Sequence, residues 1–220
     1  MPAAPKIEPT PEEEFDEPLS CRIVLPQMRL PLKIHPPHPL TDEEILALCS
    51  ENDGLDLESD SDGSITFIPL SGYWKSHLNA ILGAYLGEWA RQNGTGAVFG
   101  PDLGVRFPDL TLRSPDAAWL SSERVNEAEE QEKTNPGFLH LCPDFVAELR
   151  SHDDSVSHVE AKMRFWMARG AQLGWLIDPI RKLATIYRAG QEPETLIRPE
   201  FLDGDGPLAG FRLEMKKFWE

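Results

Sequence analysis

The sequence predicts a single domain of mixed α/β or α+β class. Amphipathic helical stretches and strand-like runs interleave along the chain, which is the pattern of a sheet flanked by helices. The chain has 220 residues and is 40% hydrophobic, enough for one sizeable core and ordinary for a soluble globular protein. No run approaches the roughly 18 to 20 consecutive apolar residues of a membrane span. The start of the chain also lacks the basic-then-apolar order of a secretory signal, so a cytoplasmic protein without a membrane partner is expected.

The elements follow in order. Residues 1–40 are rich in proline and acid ("PAAPKIEPTPEEEFDEP", then "LPQMRLPLKIHPPHPL"), a composition that cannot fold alone, so a disordered or extended leader is expected ahead of a domain over 41–220. "LTDEEILALCSEN" predicts a short entry helix, with Thr41 as N-cap, Glu44 as its capping-box partner, and Ile45, Leu46 and Leu48 as the apolar face. "LDLESDSDGSITFIPL" predicts a hairpin turning near Gly63, because apolar and polar residues alternate on both sides of "DSDG". A long helix is expected next, where Leu78, Ile81, Leu82, Tyr85, Leu86 and Trp89 recur at helical spacing up to the "QNGTG" stop.

Between residues 97 and 120, "AVFG", "GVRF" and "DAAWL" read as meandering strands of one sheet, broken by Gly and Pro. "SSERVNEAEEQEKTNPGFLH" reads as a charged connection that can include a helical turn. It leads into the strand "FVAELRS", in which Phe145, Ala147 and Leu149 face one way and Val146, Glu148 and Arg150 the other. Residues 156–171 predict a second amphipathic helix with Val159, Met163, Trp166, Met167 and Gly170 on one side. "LGWLIDPIRKLATIYRAG" is the strongest hairpin signal, and "GPLAGFRLEMKKFW" reads as a final strand and short helix.

Charge and cysteine content exclude some functions. A net charge of −16 argues against a nonspecific nucleic-acid binder, since phosphate backbones are held by lysine and arginine. The distribution is uneven: residues 1–60 hold 14 Asp plus Glu against 4 Lys plus Arg, a balance of −10, whereas residues 144–182 hold six of each. An anionic ligand would be met in the later stretch. Cys21, Cys49 and Cys142 lie far apart without CxxC spacing, which suggests neither a zinc site nor a disulfide framework.

Four charged residues are oddly placed for ordinary surface groups. Asp116 opens the strand "DAAWL", Glu148 sits inside an apolar strand, Lys162 lies beside the apolar stripe of the following helix, and Glu58 ends the first hairpin strand. A buried carboxylate needs a partner, a metal or a task. Two carboxylates on neighbouring strands can hold a hard divalent cation, and a nearby ammonium can orient an attacking water. Plainer readings stand beside this one. Asp116 could be a turn residue, Glu148 could pair with Arg150 on the same face, and Lys162 could be solvated between the surface pair Glu160 and Arg164. His152 and His158 read as solvent-facing, and the tryptophans as core.

The run "RSPDAAWL", then "CPDFVAELRS", then "EAKMRFWMARGAQLGWLIDP" resembles the Uma-two family of restriction-endonuclease-like proteins, within the PD-(D/E)xK nuclease superfamily. The resemblance spans roughly residues 40–220 and includes "TDEE", "GSITFIP", "NGTGAVF" and "GWLIDP". It implies a restriction-endonuclease-like fold, a mixed and mostly antiparallel central sheet flanked by helices, and a metal-dependent DNA endonuclease. Magnesium is the implied cofactor, with manganese as a substitute, DNA the substrate and a homodimer the working form. Asp116 matches the PD aspartate and Glu148 the acidic member of the half-motif, so both are implied metal ligands together with the Leu149 backbone carbonyl. The chain departs from the pattern at Arg150, which stands where the superfamily keeps lysine. Arginine binds phosphate but is a poor base, so Arg150 is implied to steady a phosphate. The lysine's role passes to Lys162 on the next helix, with Glu58 as an auxiliary carboxylate. The alternative is a catalytically silent member that keeps the fold for DNA binding or protein interaction.

Overall fold

The computed structural model describes residues 31–52 and 55–220, so the leader expected over 1–40 lies mostly outside the described residues. The last part of that stretch does contribute a strand, β1 (Leu32–Ile34), which pairs antiparallel with β3 (Ile65–Pro69). Between them stands the entry helix α1 (Asp42–Glu51), capped reciprocally by Thr41 and Glu44. Hairpin strand β2 (Leu55–Ser59) turns into β3 through Gly63, whose φ of +78° is the left-handed conformation that such a turn needs.

The long helix α2 (Tyr73–Asn93) stops at Gly94, whose left-handed conformation returns its N–H to Ala90 O. After α2 comes β4 (Gly96–Phe99), then β5 (Val105–Arg106), β6 (Leu112–Arg113) and β7 (Ala117–Ser121). These pieces do not form one sheet, contrary to the sequence expectation. β5 and β6 join β1, β2 and β3 in a five-stranded sheet ordered β1-β3-β2-β6-β5. β4 and β7 enter the central sheet instead. The Gly and Pro breaks let the chain change sheets between them, and Ser59 opposite Leu112 marks the transfer.

The connection 122–134 is a helix, α3 (Ser122–Thr134), rather than a loop. Its Glu, Ala, Gln, Lys and Arg content favours helix, while the absence of any buried residue leaves no apolar period to reveal it. The chain then forms β8 (Phe145–Leu149), α4 (Val156–Ala168), β9 (Leu173–Asp178), β10 (Leu183–Arg188) and β11 (Glu194–Ile197). β12 (Phe201–Asp203) and β13 (Arg212–Glu214) make a small ribbon, and α5 (Lys216–Trp219) ends the chain.

The central sheet is ordered β11-β10-β9-β8-β7-β4, and its one parallel pair is β8 with β9. A parallel pair needs a crossover, and α4 supplies it. The main core lies on one face, where Leu78, Leu82 and Leu86 of α2 meet Phe145, Ala147, Leu149, Trp175 and Ile177, with Phe218 closing the far side. α4 covers the other face through Val159, Met163 and Trp166 against Val146 and Leu176. Gly174 lets α4 approach closely, because a side chain there would collide with Met163. Ile45, Ile65 and Phe67 centre a third cluster under the five-stranded sheet. Among the described residues, no helix is long and apolar enough to cross a membrane.

Candidate active site

Antiparallel pairing of β7 with β8 sets Ala117 opposite Ala147, so the start of β7 meets the end of β8. Asp116, just ahead of β7, receives the Leu149 N–H on Oδ2 at 2.7 Å. Glu148 alternates with Ala147 and Leu149, which are packed toward α2, and so it turns with Val146 toward α4. Both carboxylates are deeply covered, with Asp116 at 6% and Glu148 at 2% exposure. Two rigid strand ends therefore hold two acids out of bulk water.

Cations and donors on the flanking helices meet them. Lys162 of α4 lies 3.3 Å from Glu148 Oε2 and 3.2 Å from Glu58 Oε1, and it donates to Ser114 O at 2.7 Å. Its three donors thus have three acceptors. Glu160 and Arg164 form the ordinary surface pair on the outer side of α4, at 3.5 Å. Four residues beyond Lys162, the indole of Trp166 donates to Glu148 Oε1 at 2.8 Å. From α2, Lys75 lies 3.1 Å from Asp116 Oδ2, and Asn79 one turn later donates to Oδ1 at 3.3 Å. Arg113 backs Glu58 at 3.4 Å and reaches Asp60 at 2.5 Å, tying the site to the five-stranded sheet.

Burial dominates the electrostatics. Desolvation pushes the Glu148 carboxyl up to about 7, with the Asp116 charge adding to the rise and Lys162, Lys75 and the Trp166 hydrogen bond opposing it. Burial alone would lower the Lys162 ammonium, but Glu148, Glu58 and Asp116 outweigh it and hold the group above its ordinary value. Lys162 is therefore a persistent cation rather than a proton acceptor.

The structure brings Asp116, Glu148, Lys162 and Glu58 to one place. Arg150 is turned to a different partner: its Nη1 lies 3.0 Å from Asp178 Oδ2 and its Nε donates to Asp154 O at 3.1 Å. Residue 149 presents its N–H to Asp116, and in an extended strand the carbonyl of the same residue points to the same side. Sequence reasoning missed Lys75 and Asn79. The signal was available in Asn79, a polar residue in phase with the apolar stripe beside Leu78 and Leu82. Trp166 was expected as core, which it is, but its ring nitrogen also serves Glu148. His152 and His158 are exposed, as expected.

Among the described residues, no group of three or more His, Cys, Asp or Glu side chains is arranged as a ready metal cage. Magnesium does not need one, since it takes one or two carboxylates and keeps several waters. The all-oxygen donor set of Asp116, Glu148 and the 149 carbonyl suits that ion better than zinc, whose sites are built mainly on nitrogen and sulfur. Asn79 Oδ1 is buried without a hydrogen-bond partner among the described residues, a spare acceptor beside Asp116 for a metal-bound water. The residues fit a magnesium site.

Comparison with known proteins agrees with this arrangement of elements. The chain is similar to a solved "putative nuclease belonging to DUF820" from Anabaena variabilis, with a TM-score of 0.67 and 22% identity over 82% of this chain and 98% of that one. At that identity the likeness speaks to the fold. No curated protein matches the chain. The family model Uma2, described as "Putative restriction endonuclease", matches residues 42–216, and the chain belongs to that family.

Proposed function

We propose that this protein is a magnesium-dependent endonuclease that hydrolyses phosphodiester bonds in DNA, with manganese able to substitute. The observation that carries the reading is the pairing of Glu148 and Asp116, two buried carboxylates on adjacent strand ends, with Lys162 and Lys75 reaching in from opposite helices. Nothing in the packing of a core requires this. Even paired, buried charges are often no more stabilising than apolar residues of the same size, so two such pairs side by side speak for a task.

In the proposed mechanism Asp116 and Glu148 hold the metal, together with the Leu149 carbonyl. When bound, magnesium supplies Lewis-acid polarisation of the phosphoryl oxygens and a nucleophile of lowered pKa. Lys162, fixed by Ser114 O and Glu58, keeps its charge, and the donor that faces Glu148 would turn to the attacking water once Glu148 serves the metal. Trp166 holds Glu148 in its working rotamer. Among the described residues Lys75 has one acceptor, Asp116, and it is 21% exposed, which leaves donors for a non-bridging phosphate oxygen. That gives Lys75 the contact that the resemblance implied for Arg150, whose Nε and Nη1 are occupied by Asp154 and Asp178. Cutting both strands of a duplex in one encounter is served by two such sites, and a homodimer would supply them.

The second reading is a silent member of the family that binds DNA or protein without cutting. The closed set of contacts that Lys162 makes with its three acceptors favours it, as does the charge of −16. One experiment separates the two: wild type and Asp116→Ala are incubated with plasmid and branched DNA in magnesium or manganese. Cutting by wild type and its loss in the variant supports the nuclease reading; equal cutting, or none by either, overturns it.

A further inference from the structure

The chain carries 21 Lys plus Arg against 37 Asp plus Glu, so cations without anionic partners stand out. Among the described residues, the side chains of Arg181, Lys182 and Arg198 make no ion pair or hydrogen bond. Arg181 and Arg198 are exposed and Lys182 is half-buried.

The strand register puts these three at the end of the sheet that holds the candidate site. Leu149 at the end of β8 lies beside Ile177 of β9, Asp178 lies opposite Leu183 at the start of β10, and Leu183 lies opposite Ile197 at the end of β11. The row that begins with Asp116 and Glu148 therefore continues through the 179–182 turn, which carries Arg181 and Lys182, to Arg198. With strands about 4.8 Å apart, Arg198 stands about 14 Å from the end of β8, the length of about four base-pair steps along a duplex axis.

The row is also built rather than loose. Asp178 Oδ1 accepts the N–H groups of Ile180 and Arg181 at 3.1 and 3.0 Å and so fixes the turn, while its charge is met by Arg150 and not by the cations of the turn. Arg198 N–H donates to Lys182 O at 2.7 Å. Both Lys182, at φ +55°, and Arg198, at φ +44°, occupy the left-handed region in which glycine or asparagine is the ordinary choice. Long cations are thus kept where the backbone would prefer another residue.

We infer that Arg181, Lys182 and Arg198 form a track for the phosphate backbone of the DNA flanking the cut, an inference that rests on the DNA reading above. It reconciles an acidic protein with an anionic substrate, because the net charge lies elsewhere while the approach to the site is locally positive. Contacts of this kind position a duplex without reading its sequence.

The test uses the full chain and two fluorescein-labelled duplexes of about 20 base pairs and unrelated sequence, with binding followed by anisotropy from about 50 to 200 mM salt. The variant carrying R181Q, K182Q and R198Q is expected to bind both duplexes at least tenfold more weakly at the lowest salt. Its slope of log affinity against log salt should be shallower by about 2 to 3, near 0.9 for each phosphate that is no longer neutralised. The double variant K182G and R198G guards against loss of fold. It relieves the left-handed residues, so its thermal midpoint should hold or rise while its binding falls. Wild-type affinity and slope in the triple variant, or weaker binding with an unchanged slope, would overturn the track and leave the nuclease reading standing. A wild type that neither binds nor cuts DNA overturns both.

Discussion

Trp166 and Glu148 are joined by an Nε1–H to Oε1 hydrogen bond of 2.8 Å inside a part of the core where both side chains are fully covered. Trp166→Phe keeps most of the packing and removes the donor. The expected cost is about 1–3 kcal/mol of stability, measured by denaturant unfolding, because Oε1 is left buried with one partner fewer. Cleavage in magnesium should fall about 10- to 100-fold, the usual penalty for losing a group that orients a ligand. Unchanged cleavage at the same stability loss would reduce Trp166 to packing.

Glu148 ties stability to pH with a definite sign. Its folded value of about 7 lies above the ordinary value of 4.5, so between those values the folded state binds more protons than the unfolded one. Stability therefore falls as pH rises through this window, and the cost of the buried charge is fully present above pH 7. Glu148→Gln removes that charge and keeps an oxygen for Trp166. The variant should melt a few degrees higher than wild type at pH 8, lose this advantage toward pH 5, and show no cleavage. A lower midpoint at pH 8 would mean that the ion pair with Lys162 outweighs the burial cost.

Under the proposed mechanism Lys75 takes the phosphate contact that the resemblance implied for Arg150, while Arg150 serves Asp178. Arg150→Gln strands Asp178, which is buried, with no cation, and the expected loss is about 3 kcal/mol in thermal or denaturant unfolding. Lys75→Gln likewise removes the cation beside buried Asp116, so it should cost a similar amount, about 3 kcal/mol, but lower cleavage about 100-fold. Assays are run at a temperature at which both variants are folded. A fall in cleavage as deep for Arg150→Gln as for Lys75→Gln would return the phosphate contact to Arg150.

Magnesium should raise the thermal midpoint of the wild type by a few degrees, because an ion that binds only the folded state stabilises it by mass action. Asp116→Asn is expected to abolish this shift, since the amide offers one neutral acceptor where the carboxylate offered two charged ones. An equal shift in Asp116→Asn would place the ion elsewhere.

What the sequence discloses depends on whether the cause is local. The Thr41 and Glu44 box, the Gly63 turn, the Gly94 stop and the hairpin of β9 and β10 were all legible, because each is fixed by residues within a few positions of one another. α3 escaped because a helix with no buried side chain has no apolar period. The division of β4 to β7 between two sheets escaped because strand partners such as Ser59 and Leu112 are remote in the chain. The site followed the same rule. Asp116, Glu148 and Lys162 could be named through motif order, whereas Asn79, 37 residues from its partner, and Lys75 on the same helix depend on where α2 docks.

The crossover from β8 to β9 works as a phase gauge. Because the chain leaves the strand at Leu149 and re-enters helix at Val156, the angular setting of Lys162 is counted from that short span, and each residue added or removed within α4 ahead of it turns the side chain by about 100°. A charge carried on the strand two residues from the acid would need no such count. Under the proposed mechanism the charge stands on the helix, so the chemistry depends on the length of a connection as well as on the residue at one position. A pattern search written for spacing along a strand would pass over it.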